Sequence, residues 1–200
     1  MKKNPAHPHV SDWLSQPIIP VVAQVSGDRE LLGRASLIFL QGGEISDLGT
    51  TLDWLKSGPC AAVPVLLHID LLAGLSSDEA GLRYLAGMNR LQGIITVRSH
   101  LVTAARRLGM AAILRLFLQD GRSVERGLHL IEQARPDVIE LIPGVAAMET
   151  ADRFTRVTIP RIAGGLIRTA DTARRIIASG CRAISTSNAE LWQLNSPTAT

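Results

Sequence analysis

AAILRLFLQDGRSVERGLHLIEQARPDVIELIPG, residues 111–144, changes its hydrophobic period twice. Ala111–Leu116 is apolar apart from Arg115, which suits a parallel strand covered on both faces. Polar residues and Gly121 punctuate it, and Val124, Leu128 and Ile131 then recur at helical spacing until Arg135-Pro136 ends the run. A second apolar run, Asp137–Ile142, follows at once. Strand, helix, strand with short connections is the βα unit of a parallel sheet.

The same pattern extends in both directions. Further strands are expected at Ile18–Val22, Ser36–Leu40, Ala62–Ile69, Gly93–Val97, Arg161–Gly164 and Ala183–Thr186. Between them, Ser76 and Glu79 read as a capping box opening a helix over Ser77–Arg90. Ser46 reads as the cap of a helix stopped by Gly58-Pro59. Gly109 closes the segment after Arg98, and Ala173, Ile176 and Ile177 form a helical stripe before Gly180. Shorter helices are expected over Asp28–Arg34, Val145–Phe154 and Asn188–Leu194. Eight units of about 25 residues fit a compact (β/α)8 barrel, below the usual size of ~250 residues. A doubly wound open sheet is the rival, but eight even units favour closure. The expected fold is α/β, a single-domain TIM-type barrel over residues 16–195 with tails at 1–15 and 196–200.

Composition agrees. Of 200 residues, 46% are hydrophobic and 20% charged, which excludes a disordered, fibrous or disulfide-stapled chain. Aromatics are only 4%, so the core is aliphatic. Cys60 and Cys181 lie far apart without metal-like spacing and read as reduced thiols of a cytoplasmic protein. The opening residues lack the apolar run of a secretory signal, and no run is long enough to span a membrane. His7 and His9 form an H-x-H pair, but between prolines and ahead of the first strand they read as exposed terminus, not metal ligands.

In such a barrel the functional face is the C-terminal end of the strands. His68 and Asp70 follow the third strand, two apart and so on one side of an extended segment. Arg98 follows the fourth, Arg115 lies near the end of the fifth with Asp120 beyond it, and Glu140 sits in the sixth. An arginine among Ile113, Leu114, Leu116 and Phe117 needs a carboxylate or a ligand, since isolating it costs about 3–5 kcal/mol. Asp70, Asp120 and Glu140 are the candidates, and an ion pair that only holds the barrel is the plain alternative. Gly164-Gly165 ends the seventh strand, and Ser185-Thr186-Ser187-Asn188 leads from the eighth into a helix. Glycine backbone that approaches a ligand closely, beside a helix N-terminus, is how many barrels hold phosphate at these two units.

The stretches HIDLLAGLSSDEAG, QGIITVRS, RLFLQD, RPDVIELIPG, IPRIAGGLI and AISTSNAELW, taken in order, resemble the glycerol-uptake operon antiterminator family. The resemblance runs from about Ile18 to Trp192. It implies a (β/α)8 barrel that binds glycerol 3-phosphate as effector, with no cofactor, and engages a leader mRNA to prevent transcription termination. It implies that phosphate lies against Gly164, Gly165, Thr186, Ser187 and Asn188. The diol end would then face His68, Asp70, Arg98, Arg115 and Glu140. This chain departs from expectation in having only Lys2, Lys3 and Lys56 as lysines.

The net charge of +3 is uneven: residues 1–100 carry 8 basic and 9 acidic groups, whereas 101–200 carry 13 and 9. Arg153, Arg156, Arg161, Arg168, Arg174, Arg175 and Arg182 face Asp171 alone in their stretch. Such a patch attracts an RNA backbone, with Arg168, Arg174, Arg175 and Arg182 as the candidate contacts beside the phosphate site; a plain solvated helix face is the alternative. There is no aromatic stacking platform to read bases. The competing class is an enzyme on a small phosphorylated metabolite. Absence of lysine at the strand ends removes Schiff-base chemistry, but Glu140, Asp70 and His68 could form an acid–base set. Regulation through a protein partner is the third reading, and a homo-oligomer is compatible with any of the three.

Overall fold

The computed structural model describes residues 10–23, 25 and 27–196. The His7/His9 pair lies outside the described residues. Eight parallel strands close into a barrel in chain order: β1 (Ile18–Val22), β2 (Ile38–Leu40), β3 (Val65–His68), β4 (Gly93–Thr96), β5 (Ala111–Phe117), β6 (Val138–Ile142), β7 (Arg161–Gly164) and β8 (Ile184–Thr186). Closure is made by β8 against β1, with Ile18 opposite Ile184. Helices α1 (Arg29–Gly33), α2 (Ile45–Leu55), α3 (Glu79–Gly87), α4 (Ser99–Arg107), α5 (Gly121–Ala134), α6 (Gly144–Glu149), α7 (Ala170–Ala178) and α8 (Ala189–Trp192) each follow the strand of the same number. The open-sheet rival is thereby excluded.

Two apolar layers hold the barrel, and strand alternation sorts residues between them. Ile19, Leu37, Phe39, Leu66, Ile95, Ile113, Val138 and Ile162 point inward and fill the barrel. Their neighbours Ile18, Ile38, Leu67, Ile94, Leu114, Ile139 and Ile184 point outward against the helices, where Leu52, Leu82, Leu101, Val124, Ile131 and Ile176 meet them. Burying each large aliphatic side chain stabilises by about 1.5–3 kcal/mol, so the near absence of aromatics costs the core nothing in kind.

Local expectations change at three places. Residues 10–14, placed with the N-terminal tail, form a 3₁₀ turn, Val10–Leu14, whose Val10, Trp13 and Leu14 pack against the barrel interior. Asn195 earns its place at the other boundary, donating to and accepting from the Ile18 backbone at 2.9 and 3.0 Å. Helix α3 is capped by Asp78, whose carboxylate accepts the Gly81 N–H at 2.8 Å, and Ser76 instead lends its carbonyl to Asp78. Ser46 falls inside α2, because Gly43–Glu44 pairs as a short strand with Leu72–Ala73 and fixes the cap at Glu44, two residues earlier. That helix stops at Leu55, and Gly58–Cys60 forms a separate 3₁₀ turn. Cys60 and Cys181 are buried free thiols whose pKa burial pushes up.

Candidate functional site

Inward alternation carries past the apolar layer to the mouth, where the next inward position on several strands is polar. After Ile113 comes Arg115, after Val138 comes Glu140, after Ala183 comes Ser185, and after Leu66 comes His68. Strand register places Arg115 directly opposite Glu140, and Arg115 Nε donates to Glu140 Oε2 at 2.7 Å. Glu140 is wholly buried, and the Arg115 side chain is 14% exposed. The second carboxylate oxygen accepts the Ser185 hydroxyl at 2.5 Å. Of the three carboxylates weighed for Arg115, Glu140 is therefore the partner. Asp120 instead caps α5 through the Ser123 N–H at 2.7 Å.

Beside this trio opens a cavity of about 330 Å³, bordered by Arg115, Glu140, Gly165, Arg168, Ser185, Thr186, Ser187 and Asn188 with Val21, Gln41, Ile142, Leu166 and Ile167. Its size is at the small end for ligand sites, which suits a metabolite. Gly165 has φ +75, a conformation that glycine adopts without strain, and its carbonyl accepts the Gly144 N–H at 3.0 Å. Gly164 is not on the lining. A Cβ there would stand 2.3 Å from Ser185 Oγ and 2.9 Å from Glu140 Oε1, so its missing side chain leaves room for that buried pair. Asn188 caps α8 by accepting the Glu190 N–H at 3.1 Å, its own N–H rests on Thr186 Oγ1 at 3.1 Å, and its amide reaches the Arg168 carbonyl at 3.4 Å. Helix α8 is a single turn, so local N–H groups and guanidinium supply the positive charge there, not a long helix dipole. Two arginines against one carboxylate leave this cavity cationic. Leu71, Val97, Phe117, Val145 and Leu166, at or just after the C-terminal ends of β3 to β7, are exposed, and Leu166 borders the cavity.

His68 and Asp70 separate. Ile69–Leu71 is a 3₁₀ turn, so the two-residue alternation assumed for an extended segment breaks there. Asp70 turns toward β4, where it accepts from Thr96 Oγ1 at 3.1 Å and the Val97 N–H at 2.9 Å and pairs with Arg98 Nε at 3.4 Å. Arg98 also donates to the Ser77 carbonyl at 2.8 Å. Neither residue borders the cavity. His68 remains buried inside the barrel with Nδ1 lacking a partner among the described residues. Burial foremost, then the Arg115 charge, pushes its pKa down to about 4, while Asp70 pulls the other way. His68 does not line the cavity either. Gln41 does, and sequence reasoning missed it; its signal was the inward series Leu37, Phe39, Gln41.

The basic stretch from Arg153 to Arg182 reaches both ends of the barrel. Strand and helix run between the two ends of the barrel, so residues close in sequence are dispersed over its height. Arg161, at the start of β7, donates to the Phe154 and Ser179 carbonyls at 3.2 and 3.1 Å. Arg168 borders the mouth cavity, Arg174 and Arg175 are exposed on α7, and Arg182 precedes β8 at the far end. Lys56 is also at that far end, donating to the Val63 carbonyl at 2.8 Å and to Gln92 at 3.0 Å, and burial lowers its pKa. Among the described residues no group of three His, Cys, Asp or Glu could hold a metal ion, and no helix is long and apolar enough to cross a membrane.

Comparison with known proteins gives this geometry a family. The chain is 30% identical over 179 residues to an uncharacterized protein, YgcP, of Escherichia coli K12, covering 88% of this chain and 92% of that one. A solved glycerol uptake operon antiterminator regulatory protein of Listeria monocytogenes superposes with a TM-score of 0.77 at 30% identity, covering 90% of this chain and 96% of the other. A glycerol uptake operon antiterminator-related protein of Thermotoga maritima does so with a TM-score of 0.77 at 30% identity, covering 89% and 98%. The family described as glycerol-3-phosphate responsive antiterminator matches residues 18–192. From Ile18 to Trp192, the whole barrel, this chain belongs to the glycerol-3-phosphate responsive antiterminator family.

Proposed function

We propose that the chain is a sensor of glycerol 3-phosphate that, when loaded, engages a leader mRNA and prevents transcription termination of glycerol-catabolic genes. The observation that carries the reading is the cationic cavity at the seventh and eighth units of a barrel of this family. Its phosphate end is formed by Gly165, Thr186, Ser187 and Asn188, with Arg168 supplying charge to a phosphate that carries about −1.5 to −2 at neutral pH. Arg115, oriented by Glu140, reaches the glycerol end with Gln41 and Ser185. Gly164 leaves room for the Ser185–Glu140 pair, and Asp70 and Arg98 lie off the cavity lining. A regulatory role is favoured over catalysis because the acid–base set is not assembled. Of His68, Asp70 and Glu140, only Glu140 borders the cavity, and Arg115 neutralises it.

Thermal unfolding with glycerol 3-phosphate, glycerol and inorganic phosphate tests the ligand. At a hundredfold excess over Kd the correct ligand stabilises by about 2.7 kcal/mol. Glycerol 3-phosphate should surpass both fragments, and equal behaviour of all three would remove the assignment. RNA affinity at fixed salt, with and without glycerol 3-phosphate, tests the regulation: a coupling of about 1–3 kcal/mol is expected, and equal affinities would sink it. Turnover of triose phosphates or glycerol phosphodiesters would overturn the sensor reading.

A further inference from the structure

The charge that does not gather at the mouth gathers elsewhere. Helix α4 ends in Arg106 and Arg107, and α5 ends at Arg135, both at the N-terminal end of the strands, opposite the cavity. A surface cavity of about 480 Å³ lies between these helix ends, bordered by Arg106, Arg107 and Arg135. A second, of about 470 Å³, lies on the other side of Arg135 and is bordered by Arg135, Arg153 and Arg156. Arg135 borders both, and we take the two as lobes of one groove about the C-terminal half of α5. Five arginines and a single carboxylate, Glu132, line it. The second lobe has an aliphatic floor of Leu128, Ile131, Val157 and Ile159.

Arg135 adds an independent observation. It caps α5 in the left-handed conformation, φ 48 and ψ 60, where helices ordinarily place glycine. A long cationic side chain is held there at a backbone cost, with its carbonyl fixed by the Arg106 guanidinium. Asp137 anchors Arg106 in turn, at 3.3 Å. Arg107, Arg135 and Arg156 are exposed. Arg153 pairs with Glu125 at 3.6 Å with both side chains largely exposed, a pairing of small worth in water.

We infer that this groove, with Arg107, Arg135 and Arg156 at its centre, is the surface that holds the phosphate backbone of RNA. The placement rests on the leader-RNA reading above. Guanidinium groups pair with phosphate oxygens, and a groove with one carboxylate among five arginines is complementary to a polyanion. No aromatic side chain lines the groove, so contact is with the backbone and bases rest only on the aliphatic floor. The groove and the ligand cavity are at opposite ends of the barrel, so RNA and glycerol 3-phosphate bind together without competing.

Fluorescence anisotropy with a fluorescein-labelled leader RNA of the glycerol-uptake operon, titrated over a range of salt, tests the placement. Each lost phosphate contact makes the log–log salt slope shallower by about 0.7 on single-stranded RNA. R107Q/R156Q should lose about 1.4 units of slope, and R174Q/R175Q on α7 should lose none. R135G should lose about 0.7 units. Yet it should unfold some 2–4 °C higher, because glycine suits that backbone. Saturating glycerol 3-phosphate should not displace the RNA. If wild-type protein binds the RNA and the groove variants keep its slope, the placement falls and the leader-RNA reading stands. If wild-type protein binds no leader RNA with or without glycerol 3-phosphate, that reading falls and the placement with it. If the groove takes a polyglutamate peptide more tightly than RNA and R107Q/R156Q loses the peptide, the groove serves an acidic protein and the placement is overturned.

Discussion

Removing Arg115 and Glu140 singly and together measures how the floor of the cavity is built. The two charges are in contact at 2.7 Å, and a close pair at an effective dielectric constant of about 20 gains roughly 4 kcal/mol, offset by the desolvation of both. In R115M the carboxylate stays wholly buried with only the Ser185 hydroxyl as donor, and the loss should be about 4 kcal/mol. In E140Q the stranded guanidinium borders a cavity that admits water, so about 2 kcal/mol is expected. R115M/E140Q removes both charges, keeps an amide oxygen for Ser185, and should cost about 2 kcal/mol instead of the 6 that independence requires. Urea denaturation followed through the tryptophans reads these as midpoint shifts at constant slope. Single effects that add to within about 0.5 kcal/mol would refute the pair as a coupled unit.

Four further outcomes follow from the same geometry. His68 has a folded pKa of about 4 against 6.5 unfolded, so the unfolded chain binds the extra proton between these values. Stability is therefore complete above pH 6.5 and falls below it, by about 2 kcal/mol at pH 5, and H68Q should flatten that part of the pH–stability curve. G164A should cost about 2–3 kcal/mol by driving a methyl group into the Ser185–Glu140 bond, with partial recovery in G164A/S185A, all read from urea midpoints. G165D should abolish stabilisation by glycerol 3-phosphate in thermal unfolding, while G165A, equally strained at φ +75, should retain it. R135G should gain about 1 kcal/mol of stability by the same assay, at the expense of RNA affinity.

The fold was legible because its signal is local and repeated. Each strand is a short apolar run between turn residues, and Ile18–Val22 and Arg161–Gly164 could be read to the residue. Glu140 could be read only as one of three partners for Arg115, since choosing it requires the register of β5 against β6. The error at Asp70 came from extending a two-residue period one turn too far, past the point where the chain leaves the sheet. The grouping of the arginines was hard to read for a different reason. A count along the chain treats Arg153 to Arg182 as neighbours, whereas the barrel sends Arg168 to one end and Arg182 to the other. It also brings Arg107, Arg135 and Arg156, each from a separate unit, to one groove.

That regrouping bears on how so small a barrel would join the two proposed partners. The connections are short, so on the proposed function the ligand meets strand ends and turns, and the strands themselves are the path for the sensed change. Two strands are anchored at both ends. At the mouth, β5 and β6 are joined by Arg115 and Glu140. At the far end, Asp137 accepts the Ala112 N–H at 2.8 Å and holds Arg106, whose guanidinium fixes the Arg135 carbonyl beneath the groove. On that reading, a ligand that draws Arg115 away from Glu140 alters the pairing of the two strands whose far end Asp137 links, through Arg106, to the Arg135 carbonyl. On the proposed placement, coupling between ligand and RNA should therefore fall when Asp137 is replaced by Asn, even though Asp137 contacts neither. An unchanged affinity ratio for RNA with and without glycerol 3-phosphate in D137N would put the coupling on another path.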